Sequence, residues 1–341
     1  MGVNLTPIVE KRAVTLDDLR GRSFAVDGFV VLHQFLALIR ARDGTPLADA
    51  KGRTTSHLVG LVFRTTRLIA DYGMRLIFVF DGRPPQLKRV EVEKRREIRE
   101  KFEQEYKEAV AAGDYKAAMS KAVMTGRLTS EGIADAKRLL DLLGIPWVQA
   151  PSEGEAQAAY MAARGDVWAS NSQDYDSLLF GCPRLVRYIT IQGEEWLPSK
   201  GRARKLQPEI IELGAMLGAL EINRDQLIDI GILIGTDFNP GVRGVGPKTA
   251  LKLIRKHGSL EELPPKIREQ VTPDADAIRS LYLNPPATDK YTLDEKPVQE
   301  EELVRFLCDE RSFSRERVET VIQRMRKARG QRSLSDWLGG A

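Results

Sequence analysis

The sequence is poor in cysteine, in long apolar runs and in net charge. Among its 341 residues only Cys182 and Cys308 are cysteines, and they have neither metal-site nor CxxC spacing. That pattern points away from a disulfide framework and toward reduced thiols in an intracellular protein. No apolar stretch approaches the ~18 residues that span a bilayer, so no membrane association is expected. No charged start followed by an apolar segment marks a secretory signal. The opening Met1-Gly2-Val3-Asn4-Leu5-Thr6 fits the loose myristoylation pattern, but nothing nearby suggests a second anchor. Internal repeats and low-complexity tracts are absent. Asparagine is scarce, a mildly thermophile-like trait.

A net charge of +4 does not by itself imply a nucleic-acid partner. Its distribution says more. Five basic residues and no acid lie between Phe238 and Leu260, and five more between Arg324 and Arg332. Local patches of this kind suit phosphate contact, although solvated helix faces look the same in composition. Hydrophobic residues make up 42% and charged residues 29%, enough for a real core in one large domain or two smaller ones.

Short apolar runs alternate with amphipathic segments. Phe24-Ala25-Val26 ends at Asp27, and Leu76-Ile77-Phe78-Val79-Phe80 ends at Asp81. Val167-Trp168-Ala169-Ser170 leads to Asp174 and Asp176, and Leu185–Ile189 supplies a fourth candidate strand. Helical patterns fall near 28–41, 57–72, 130–143 and 153–164. This alternation predicts an α/β fold with a mostly parallel sheet and helices on both faces. Residues 84–129 interrupt it as a charged, exposed, mobile helical insertion. From about 207 the pattern is all-helical, and the last eleven residues read as a flexible tail. The organisation expected is one nuclease-sized domain over 1–330, in parts 1–83, 84–129 and 130–240 plus the helical remainder, followed by the tail 331–341.

In a parallel sheet the carboxyl ends of the strands share one edge, where ligands bind. Asp27, Asp81 and the pair Asp174 and Asp176 are thereby delivered to one place. Any one of them alone reads as a turn residue or helix N-cap. Glu153 and Glu155 flank Gly154; Ser152 with Glu155 also fits a capping box, which explains neither Glu153 nor the glycine. Asp237 closes the set, in Gly235-Thr236-Asp237-Phe238-Asn239. Crowded carboxylates raise one another's pKa unless a cation lies between them. Hard divalent ions with oxygen ligands answer that need, Mg²⁺ above all beside phosphates. Two such ions ~4 Å apart can clamp the attacking and leaving oxygens of a phosphodiester. Lys88 and Arg95, two helical turns apart, offer cations for the phosphate itself.

The motifs Val26-Asp27-Gly28, Phe80–Lys88, Ser152–Ala158, Gln173–Leu179 and Gly235–Asn239 resemble the flap endonuclease family of archaea and eukaryotes, in order and across nearly the whole chain. Thr54-Thr55-Ser56-His57-Leu58 resembles another family segment. The resemblance implies a structure-specific 5′ nuclease that hydrolyses DNA near the base of a 5′ flap, with 5′ exonuclease activity, in replication and repair (Okazaki fragment maturation and long-patch base excision repair). It implies two Mg²⁺, replaceable by Mn²⁺, on Asp27, Asp81, Glu153, Glu155, Asp174, Asp176 and Asp237, with Lys88 and Arg95 at the scissile phosphate. Residues 84–129 become the helical arch over the 5′ strand. Residues 241–258 become a helix-two-turn-helix that grips duplex DNA and holds a monovalent cation such as K⁺. Further DNA contacts fall on His33, Thr55, Arg64, Gly235, Arg243, Gly244, Gly246, Lys248 and Lys252. His33 stands where the family commonly has a base-stacking tyrosine, and Lys51-Gly52-Arg53 replaces an acidic group, which bears on how a 3′ flap is received. In the tail, Gln331, Leu334, Trp337 and Leu338 resemble the peptide that binds the sliding clamp (PCNA), with Leu338 where a second aromatic is commoner. The nuclease itself is expected to be monomeric, in the cytoplasm or nucleoid if archaeal.

Rival readings are a related 5′ nuclease preferring gaps, bubbles or Holliday junctions, a non-catalytic clamp-recruited scaffold, and a PIN-type ribonuclease. The full complement of seven acids argues against the scaffold. The helix-two-turn-helix has no purpose in the ribonuclease.

Overall fold

Leu76, Phe78 and Phe80 point to one side of their strand, Ile77 and Val79 to the other, and all five are buried. Strands buried on both faces belong in the middle of a layered sheet. The computed structural model describes residues 2–41, 45–112, 128–190, 193–197 and 202–339. Its strands are β1 (Arg12–Ala13), β2 (Ser23–Asp27), β3 (Arg75–Phe80), β4 (Trp147–Gln149), β5 (Ala169–Asn171), β6 (Arg184–Arg187), β7 (Gly193–Leu197), β8 (Arg202–Leu206) and β9 (Glu209–Glu212). Seven form one sheet in the order β1-β9-β6-β5-β2-β3-β4, and β7 pairs with β8 as a separate hairpin. The run β6-β5-β2-β3-β4 is parallel, while β9 and β1 add antiparallel at one edge.

The helices in chain order are α1 (Gly28–Leu38), α2 (Ser56–Gly60), α3 (Thr66–Tyr72), α4 (Arg89–Ala111), α5 (Ser130–Leu143), α6 (Gly154–Arg164) and α7 (Asp176–Leu179). Then come α8 (Leu213–Leu220), α9 (Arg224–Ile234), α10 (Pro247–His257), α11 (Pro265–Arg268), α12 (Ala275–Leu283), α13 (Glu300–Val304) and α14 (Arg315–Gly339). A π-helical turn, Leu61–Thr65, joins α2 to α3. The sheet divides the core in two. Phe24, Val26 and Phe78 pack with α1, α3, α5 and α14 on one face; Ala25, Ile77 and Val79 pack with α6, α9, α10 and α12 on the other.

Two boundaries differ from the sequence reading. The strand expected at 167–170 begins at Ala169, and the helical second half starts at Leu213, because Ile210 and Ile211 are buried in β9 against β6. Of the insertion, α4 carries the first part, and residues 113–127 lie outside those described. Where the sequence points to a flexible tail from 331, the backbone of α14 continues through Gly339. A single glycine at 330 costs a helix only about 1 kcal/mol, and no proline follows. The side chains of Gln331, Leu334, Trp337 and Leu338 lie outside the described residues. Among the described residues, no helix is long and apolar enough to cross a membrane.

Candidate functional site

The carboxyl ends of β2, β3 and β5 deliver their acids to one edge of the sheet. Asp27 ends β2 and caps α1, its Oδ1 accepting from the Val30 amide at 2.9 Å. The cap and the site are therefore one residue. Asp81 follows β3; its Oδ1 accepts from the Gly154 amide at 2.6 Å, at the start of α6. A Cβ on residue 154 would lie 2.7 Å from that same oxygen, so the glycine between the two glutamates is what lets Asp81 come this close.

The capping box expected at Ser152 does not form. Glu153 is the N-cap of α6, without a side-chain cap bond, and Glu155 instead accepts from Ser177 Oγ at 3.3 Å. Helix α7 opens on Asp176, whose Oδ1 accepts from the Val3 amide at 3.1 Å. Asp237 lies in a tight turn directly after α9, closed by Thr236 and Asn239.

Charge links these groups into one cluster. Burial, then Asp81 and Asp174, raise Asp27 well above the usual carboxylate range, against the Val30 amide and Lys88. Burial together with Asp176, Asp174 and Asp27 does the same to Glu155. Asp176 is pushed up to about 7 by burial, Asp174 and Asp237. Loss of water also raises Glu153 despite Lys88, and raises Asp81 although that residue keeps one side open to solvent. Asp237 goes the other way: burial acts upward, but Lys88 and Arg95 outweigh it.

The two cations come from the foot of the insertion. Lys88, just before α4, reaches Glu153 and lies 3.3 Å from Asp237. Arg95, on α4, places one terminal nitrogen 2.7 and 2.8 Å from the two Asp237 oxygens and holds Glu91 at 2.9 Å. The donor set, carboxylate oxygens only and crowded beyond what two cations neutralise, fits hard divalent ions. Among the described residues, no three of the acids converge as a ready-made coordination shell.

The element expected to grip duplex DNA is a hairpin of α9 and α10. Gly246 caps α10 and Pro247 occupies its first turn, leaving amides free at a helix N-terminus, a site for phosphate. Arg243, Gly244, Gly246, Lys248 and Lys252 are exposed on it, while Arg255 is paired with Glu221. Gly235 has φ +105°, which only glycine adopts without strain, and its missing Cβ leaves room for the Pro240 carbonyl.

His33 is exposed on α1, not a core histidine. Arg64 lies over Phe35 and donates to the Thr190 carbonyl; Thr55 is buried, its amide donating to Leu47. These two are thus engaged in the fold. Arg53 is bound to Asp49 and faces Glu131, so the basic Lys51-Gly52-Arg53 turn is partly neutralised within the chain.

The chain matches the XPG N-terminal domain over residues 1–102 and the XPG I-region over 144–237. It is 49% identical to flap endonuclease 1 of Pyrococcus abyssi over 341 residues, covering 99% of this chain and 98% of that one. The chain belongs to the flap endonuclease 1 family. Flap endonuclease 1 of Hyperthermus butylicus is 47% identical, over 99% of each chain. The solved flap endonuclease-1 of Methanococcus jannaschii superposes with TM-score 0.77 at 39% identity, over 97% of this chain and all of that one. The catalytic core of Rad2 in complex with DNA substrate, TM-score 0.70 at 21% identity, shares the fold. As a structure-specific flap endonuclease this chain is a phosphodiester hydrolase.

Sequence reasoning missed the N-terminal segment. A Cβ on Gly2 would lie 1.9 Å from Asp176 Oδ2 and 3.1 Å from Asp174 Cβ, so residue 2 presses against both acids. No spacing rule ties residue 2 to residue 176.

Proposed function

We propose that this flap endonuclease cuts the phosphodiester near the base of a 5′ flap using divalent cations, Mg²⁺ or Mn²⁺, on the seven carboxylates. One observation carries the reading: Lys88 and Arg95 reach from the foot of the insertion into the acid cluster, both at Asp237. Cations and carboxylates side by side are what a phosphodiester needs, anionic groups for metals and donors for its own oxygens.

Divalent ions held there would supply Lewis acidity to the phosphodiester. Asp27, Asp81, Glu153, Glu155, Asp174, Asp176 and Asp237 would hold them, Asp27 and Asp176 from buried positions. Lys88 and Arg95 exchange their carboxylate partners for the non-bridging phosphate oxygens and hold developing charge. Arg95, with its planar fork, can bind two oxygens at once. The insertion that begins with Lys88 and α4 would serve as the arch over the 5′ single strand.

The exposed Lys248 and Lys252 with the α10 N-terminus hold duplex DNA, and carbonyls of the 235–246 turn provide a site for K⁺. His33 stacks on a base near the junction. The α14 terminus, with Gln331, Leu334, Trp337 and Leu338, recruits a sliding clamp, placing this monomeric enzyme in replication and repair. The test is a panel of labelled 5′-flap, 3′-flap, gapped, single-stranded and Holliday substrates with Mg²⁺. Cuts at the base of the 5′ flap support the reading; preference for gaps or four-way junctions overturns it.

A further inference from the structure

Behind the Asp174-Tyr175-Asp176 turn lies a buried polar knot centred on Arg187, the last residue of β6, which is 7% exposed. Its guanidinium lies between the rings of Tyr175 and Tyr188, 4.5 and 4.7 Å from their centroids. Nε donates to the Gln173 carbonyl at 2.9 Å. One terminal nitrogen donates to the Tyr175 hydroxyl at 2.9 Å and to Glu209 at 3.2 Å, the other to the Tyr188 hydroxyl at 2.8 Å. Lys11 lies over the far part of the same knot, 3.7 Å from Glu209 and 5.4 Å from the Tyr175 ring. The Thr6 hydroxyl is 3.1 Å from that of Tyr175.

Charge balance alone does not account for this arrangement. Glu209 already has Lys11, yet a second cation is buried beside it at a desolvation cost. What Arg187 adds is a rigid planar fork. Two of its arms end on Gln173, immediately before Asp174, and on Tyr175, between Asp174 and Asp176. Tyr188 is held at φ +62°, a left-handed conformation rare for a residue with a side chain. Strain of that kind persists where the surroundings fix it, commonly around functional sites.

We infer that Arg187 is a positioning residue for the reaction: through Tyr175 and the Gln173 carbonyl it fixes the spacing and aim of the Asp174 and Asp176 carboxylates toward divalent ions. The inference rests on the metal-dependent reading of the site given above. Two carboxylates on a short turn have many rotamers, and outer partners of this type cut that freedom before the ion arrives.

Two variants of the full chain test it. Tyr175→Phe removes only the hydroxyl shared by Arg187 and Thr6 and keeps the ring that both cations face. Arg187→Lys keeps the charge beside Glu209 and removes the fork. Three quantities are read: Mn²⁺ affinity of the DNA-free protein by direct titration, kcat and KM on a 5′ flap with Mg²⁺, and Tm. Both variants are expected to bind Mn²⁺ about 10- to 100-fold more weakly and to lose kcat by a similar factor at fixed Mg²⁺. Flap KM should be unchanged, and excess metal should restore kcat. Should Arg187→Lys not fold, Tyr175→Phe decides alone. Unchanged Mn²⁺ affinity and kcat in Tyr175→Phe, with or without a lower Tm, overturns the inference and leaves the knot a packing feature. Wild-type protein that binds no Mn²⁺ overturns the metal reading itself, and this inference with it.

Discussion

The Gly154 amide donates to Asp81 Oδ1 over 2.6 Å, and a Cβ on residue 154 would lie 2.7 Å from that same oxygen. Gly154→Ala cannot keep both the backbone and the carboxylate where they are. Asp81 is the flexible partner and gives way. Alanine suits a helix better than glycine by about 1 kcal/mol, which offsets the crowding in the fold. The expected result is a single-turnover rate lower by at least about tenfold, with Tm nearly unchanged. A rate equal to wild type would mean that the position of Asp81 is not critical.

Lys88→Ala and Arg95→Ala remove the two cations that the proposed reaction assigns to the phosphate. Each should slow the chemical step by about 10²- to 10³-fold while flap affinity falls much less. Single-turnover kinetics alongside equilibrium binding separates the two. A variant that loses affinity and keeps its rate would move that residue to general backbone contact.

Asp174→Ala should abolish measurable cutting, as should a chelator added to the wild type, and Mn²⁺ should restore only the chelated wild type. Binding of the flap without divalent ion should persist in Asp174→Ala, since the residue supplies charge to the ions and no grip on DNA. Full activity in purified Asp174→Ala would remove the basis for two-metal hydrolysis.

Lys248 and Lys252 project from α10 into solvent. Replacing both by alanine should weaken binding to every substrate with a duplex arm. The slope of log K against log salt should become shallower by roughly 2 units, one for each phosphate that the variant no longer neutralises. An unaltered slope would leave the two lysines as solvated surface.

Deleting residues 331–341 should leave cutting of an isolated flap near wild-type and remove stimulation by the cognate sliding clamp. Leu334, Trp337 and Leu338 fall at i, i+3 and i+4, one turn of helix, and α14 runs helically through them. Stimulation of the truncated enzyme equal to that of the full chain would exclude the tail as the docking segment.

Much of the site was legible because strands leave an acid where they end. Asp27, Asp81 and the Asp174–Asp176 turn follow from three apolar runs and the geometry of a parallel sheet. Glu155 was legible for a wrong alternative: Ser152 and Glu155 have capping-box spacing, but the N-cap is Glu153, one residue later, and Glu155 accepts from Ser177 instead. Long-range partners were not legible. Gly2 against Asp176 and Arg187 behind Tyr175 are pairings that no local period encodes. Strand β9, between β1 and β6, was hidden because Glu209–Glu212 offers only Ile210 and Ile211 as apolar residues, too few for a pattern. Arg255 shows the limit of counting charge: it belongs to a basic run in the sequence and is paired with Glu221 in the fold.

Helix α9 carries the Asp237 turn at one end and packs against α10 along its side. The Asn239 side chain donates to Ile232 and the Val242 amide to Leu233, so the chain folds straight back onto α9 after Asp237. Arg279 on α12 clamps Asp229 of α9 to Glu261 beyond α10. Asp237 and the N-terminus of α10 are therefore fixed to the same end of one helix. Whatever Lys248 and Lys252 hold is thereby kept at a set offset from the acid cluster, with the two turns after α9 as the only chain between them.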